Sequence, residues 1–120
     1  MTQAFDPDDF EWHDGNVVDL QLDGLAGGRQ ELRLTLDLFP SDHPEAVRKR
    51  YVCVGNGLSR FLASGDLSRL LKRNSPGSSA GNIDFARMDY AADTEILVVV
   101  MFGGMIEAEA STFEFTEIRS

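Results

Sequence analysis

The chain has 120 residues, 42% of them apolar, and a formal net charge of −9. This suits a single domain over 1–120 with a real core, and excludes wholesale disorder; the charge excludes non-specific nucleic-acid binding, which needs many cationic phosphate contacts. The lone Cys53 excludes an internal disulfide and a cysteine-built zinc cluster, and without a signal-type segment or an apolar run long enough to span a bilayer, the expected location is the cytoplasm, with no membrane partner.

The elements follow in chain order. Residues 1–9 carry Pro7 and three aspartates and read as a loose acidic arm. Trp12-His13-Asp14 is the most distinctive short segment. Val18, Leu20 and Leu22 alternate with polar residues and predict a half-buried strand. Gly24 to Gln30 is a turn. Leu32, Leu34, Leu36 and Leu38 form the cleanest period-two pattern, so a slip of one residue would put four leucines in water. The two strands read as a hairpin.

Pro40 to Pro44 breaks the chain. Arg48 to Val54 predicts a strand with Tyr51 and Cys53 on one face and Val52 and Val54 on the other. Gly55-Asn56-Gly57 is a turn or bulge, and Leu58 to Ala63 continues as strand. Leu67, Leu70 and Leu71 follow Asp66 at helical spacing, which predicts a short amphipathic helix over Leu67 to Arg73, placed to cover the outer face of the Val98/Val100 strand. Asn74 to Gly81 is a loop; it lacks a phosphate-loop pattern and reads as no cradle. Asn82 to Met88 predicts a strand with Ile83 and Phe85 on one face.

Ile96 to Phe102 is an unbroken apolar run, as expected of a strand buried on both faces. With Gly103-Gly104 as a primed two-residue turn at positive φ, Met101 would face Ile106, Val99 Ala108 and Leu97 Ala110. Val100 would face Glu107 and Val98 would face Glu109. After Ala110 the apolar parity flips to Phe113 and Phe115. Either a bulge near Ser111-Thr112 or a crossing to another sheet would account for it. The whole predicts a mainly β (α+β) fold: a six- to seven-stranded, largely antiparallel curved sheet or flattened barrel with one short helix.

The charge is uneven. Met1 to Asp23 holds seven acidic residues and no Lys or Arg, whereas Glu45 to Arg73 holds seven basic ones against Glu45 and Asp66. These are either two solvated, mutually attractive surfaces or a steering field for a basic partner.

Candidate chemistry is sparse. His13 beside Asp14 suits a general base or metal ligand, but neighbours on an extended strand point to opposite faces. The structural alternative makes Trp12 a core plug and His13 or Asp14 a backbone cap. His43 would be the second histidine of a metal or acid–base site, although nothing in the spacing brings it to His13. Cys53 reads as a buried, inert thiol. Glu107 and Glu109 share a strand face, either as solvated edge protection or as a binding stripe. No catalytic residue and no cofactor is assigned.

From Trp12 through the closing G-G-x-I-E-A-E-A-x-x-F-E-F run to Ile118, the chain resembles a group of small uncharacterised bacterial β-rich proteins with an N-terminal aromatic-His-Asp segment. Some similar domains have been proposed as toxin immunity proteins. The resemblance implies a non-catalytic interaction module and no catalytic residues. The expected activity is binding of a basic protein through an acidic surface that includes Trp12, His13, Asp14, Glu107 and Glu109; a homodimer joined by a sheet edge or the Val98/Val100 face is a related expectation. The alternative is a small-molecule or metal binder, or an enzyme, using His13, Asp14 and His43.

Overall fold

Strand follows strand because polar and apolar residues alternate nearly everywhere, and glycine or a polar turn separates the runs. The computed structural model describes residues 3–4, 10–24, 26–40, 49–65 and 82–118. Its elements are β1 (Gln3–Ala4), β2 (Phe10–Asp23), β3 (Glu31–Pro40), β4 (Lys49–Asn56), β5 (Arg60–Gly65), β6 (Ile83–Tyr90), β7 (Glu95–Met101), β8 (Gly104–Ala110) and β9 (Thr112–Glu117). All pair antiparallel, in one sheet ordered β1-β9-β4-β3-β2 and a second ordered β5-β8-β7-β6.

The fold is therefore mainly β, as expected, but it is neither a single curved sheet nor a barrel. Two crossings divide it. β4 ends at Asn56 and the chain enters the second sheet as β5; β8 ends at Ala110 and returns to the first sheet as β9. The two corners lie against each other. Ser111 N–H donates to Asn56 O at 2.9 Å, and Gly57, at φ 64°, has no room for a side chain because a Cβ would sit 2.6 Å from Ser111 Oγ. The parity flip before Phe113 is thus a change of sheet, the second of the two expectations.

No helix occurs among the described residues, and none of them forms a helix long and apolar enough to cross a membrane. The helix expected over Leu67 to Arg73 lies outside the described residues, as do the 74–81 loop and His43. Within the arm, Gln3–Ala4 pairs with Phe115 and Glu114 of β9.

One cluster fills the space between the sheets. The four leucines of β3 are fully buried, and they meet Leu97, Val99, Ile106 and Ala108 of the second sheet, with Tyr51, Cys53, Phe113 and Phe115. Burying a leucine side chain contributes about 2 kcal/mol. Burial pushes the Cys53 thiol well up from its ordinary range, with the nearby Glu95 carboxylate adding to it, so the thiol stays neutral and unreactive.

Three local expectations give way. The β7–β8 turn is Phe102-Gly103, not Gly103-Gly104, because Met101 pairs with Gly104, Val99 with Ile106 and Val98 with Glu107. The faces survive and the partners move by two residues. Neither glycine takes a positive φ. Gly104 instead joins the ladder opposite Gly65 of β5, and it is Gly65 that the close approach requires, since its Cβ would strike the Gly103–Gly104 backbone. Next, a register shift between Ile83 and Phe85 separates two residues expected on one face, so Ile83 is buried while Phe85 is 44% exposed. Last, Val18 is not in register with Leu20 and Leu22. A shift between Val17 and Asp19 makes Val17 the residue that pairs with Leu36 in the core.

Candidate binding site at the seam between the sheets

β2 is an edge strand of the first sheet and β6 an edge strand of the second; they meet along one side. The meeting is built from asparagines. Asn82 N–H donates to Gly15 O at 3.0 Å and lies 3.2 Å from Asn16 Oδ1. Val17 N–H donates to Asn82 Oδ1 at 3.0 Å, and Phe102 N–H donates to Asn82 O at 2.9 Å. Asn82 thus ties β2 to the β7–β8 turn. Asn16 is fully buried, and its Nδ2 has no partner among the described residues.

The same contact deforms β2. Glu11 pairs with Phe39 and Asn16 with Asp37, so Trp12 to Gly15 stand opposite Leu38 alone. The expectation that His13 and Asp14 lie on a regular strand, pointing apart, is therefore overturned. Asp14 adopts φ 65°, a left-handed conformation that costs a non-glycine residue about 1 kcal/mol. Gly15 follows, where a Cβ would lie 2.7 Å from Leu38 Cδ2.

The bulge turns Trp12 inward and His13 outward. Trp12 is 5% exposed and meets Phe115 edge-on, ring centroids 6.5 Å apart, as the core-plug expectation held. The His13 ring projects between two carboxylates. Its Nε2 is 3.8 Å from Asp14 Oδ2, and its Nδ1 is 3.7 Å from Asp84 Oδ1 and 3.4 Å from Asp84 O. Phe102 stands edge-on to the imidazole at 6.0 Å and is itself 56% exposed. The site therefore presents two carboxylates, an imidazole and an aromatic ring to solvent.

These distances are long for a catalytic hydrogen bond, which wants roughly 2.6–3.2 Å. Among the described residues no group of three or more His, Cys, Asp or Glu side chains is arranged to hold a metal ion.

Glu107 and Glu109 share the outer face of the second sheet, as expected, but not as an open acidic stripe. Arg60 of β5 pairs with both, and Thr94 Oγ1 donates to Glu109 Oε2 at 2.7 Å. Each carboxylate is about three-quarters buried at its side chain. These contacts raise the Arg60 guanidinium's proton affinity, chiefly through its bond to Glu107.

Sequence reasoning missed Asp84, Phe102 and the Asn16–Asn82 tie. Only tertiary contact brings residues 13, 84 and 102 together. A faint signal was present in the polar Asn82, which precedes the apolar Ile83 at the mouth of a strand. No protein-family model, curated protein or solved structure matches this chain.

Proposed function

We propose that the chain is a non-catalytic interaction module that holds a basic protein through an acidic surface anchored at the seam. It is immunity-like in that capture, rather than turnover, is the activity. The observation that carries this reading is the left-handed Asp14, a locally unfavourable backbone that sets its carboxylate beside His13, facing Asp84. Backbone strain of this kind is concentrated at working sites. A guanidinium fits the arrangement: it can pair with Asp14 and Asp84 while its plane lies on the exposed Phe102 ring. Glu11, Asp19 and Asp23 are exposed on the same strand and have no ion pair among the described residues. They extend the negative field that would speed encounter with a cationic partner. Because Arg60 already engages Glu107 and Glu109, the second sheet is the weaker half of the acidic surface.

The test uses a hexa-arginine peptide titrated into the full chain and followed by NMR. At low salt the resonances of His13, Asp84 and Phe102 are expected to move first, and binding to weaken as salt rises. In Asp14→Gly the backbone strain is relieved, so the melting temperature should hold or rise while affinity falls roughly fivefold, the equivalent of about 1 kcal/mol. A peptide that binds Asp14→Gly as tightly as the native chain, or perturbs only residues far from the seam, would refute the reading.

A further inference from the structure

The outer face of the second sheet is too apolar for an uncovered surface. Strand alternation places Leu97, Val99 and Met101 in the shared core, so Val98 and Val100 lie on the opposite face. Register sets Ser64, Met105, Val100 and Phe85 in one row across the sheet, and Leu62, Glu107, Val98 and Arg87 in the next. Val98 is only 1% exposed, although it takes no part in the core between the sheets.

We propose that this face is a docking surface for the chain's own segment 66–81, which lies outside the described residues. The ends of that segment carry the argument. It leaves from Gly65 at one edge of the sheet and re-enters before Ile83 at the opposite edge, both at the end marked by the Met101–Gly104 pair. β8 and β7 stand between. Crossing three strand spacings takes about 14 Å, whereas sixteen residues can span roughly 50 Å. The inner face is filled by the first sheet, which leaves the outer face as the apolar ground within reach. The segment matches it in chemistry. Leu67, Leu70 and Leu71 offer one apolar side at helical spacing; the carboxylates of the face, Glu107, Glu109 and Asp89, are already paired with Arg60 and Arg87, so the match is apolar rather than ionic. The proposal is independent of the seam, and it removes the Val98/Val100 face from the surfaces open to a partner.

The experiment places a reporter thiol on the face in the full chain as Val98→Cys, with the buried Cys53 as a silent internal control. Labelling by a soluble maleimide is expected to be slow, to be at least tenfold faster when Leu70→Asp and Leu71→Asp are added, and to be independent of protein concentration. Equal labelling with and without the two aspartates overturns the proposal. So does protection that appears only as concentration rises, since a second copy would then be the cover. Should Val98→Cys not fold, hydroxyl-radical oxidation of Met105 is compared between the native chain and Leu70→Asp/Leu71→Asp; an unchanged yield is the contrary result.

Discussion

Val99→Asp is expected to abolish cooperative unfolding. Val99 is fully buried in β7, an interior strand, between Ile106 of β8 and Ala86 of β6. Its side chain faces the leucines of β3 across the core. An aspartate there loses the apolar contribution of the valine, about 2 kcal/mol. It also carries a carboxylate into a place without a cation, where it must stay desolvated or take up a proton, at a further cost of several kcal/mol. Set against a typical net stability of roughly 5–15 kcal/mol, the sum leaves little or no native state. Circular dichroism should show a shallow melt and near-ultraviolet signals should collapse. A sigmoidal transition within a few degrees of the native one would mean that β7 is not interior.

The second large effect is expected at Asn82→Ala. The Asn82 side chain accepts the buried Val17 N–H, and its removal leaves that donor unsatisfied inside the seam. Such a group costs about 1–3 kcal/mol, equivalent to a fall of roughly 4–12 °C in melting temperature for a chain near this size. The loss should be local in its functional consequence too. With β2 and β6 less firmly joined, Asp14 and Asp84 are no longer held on either side of His13, and hexa-arginine affinity should fall along with stability. Asn82→Asp keeps an acceptor at that position and should restore part of the stability. A melting temperature unchanged in Asn82→Ala would show that the seam is held by other contacts.

These effects also show which parts of the structure short-range pattern could reveal. Period-two alternation over Leu32 to Leu38 and the apolar run from Ile96 set both strands and both buried faces, because a strand's side-chain parity is a local property. It could not set the β7–β8 turn. Two adjacent glycines satisfy a positive-φ turn in isolation, but here Gly104 is drawn into the β5–β8 ladder opposite Gly65, and Asn82 O holds the Phe102 N–H in the turn instead. Alternation left the two sheets undecided, since the parity flip at Ser111 fits a bulge as well as a crossing, and the crossing at Gly57 looks in sequence like an ordinary turn. At the site, Trp12 as a core plug was legible from its bulk beside polar neighbours. The approach of His13 to Asp14 was not, because it depends on four residues of β2 standing opposite one of β3. Asp84 joined the site only because a second bulge, in β6, faces the first across the seam.

The most direct measurement is a pair of through-space NMR contacts in the full native chain: His13 ring protons to the Phe102 ring, and the Val17 amide to the Asn82 side chain. Both should be seen, since β2, β6 and the β7–β8 turn converge there. If the His13 ring shows contacts only to its sequence neighbours, the two sheets do not meet at these residues, and the binding surface assembled from them does not exist.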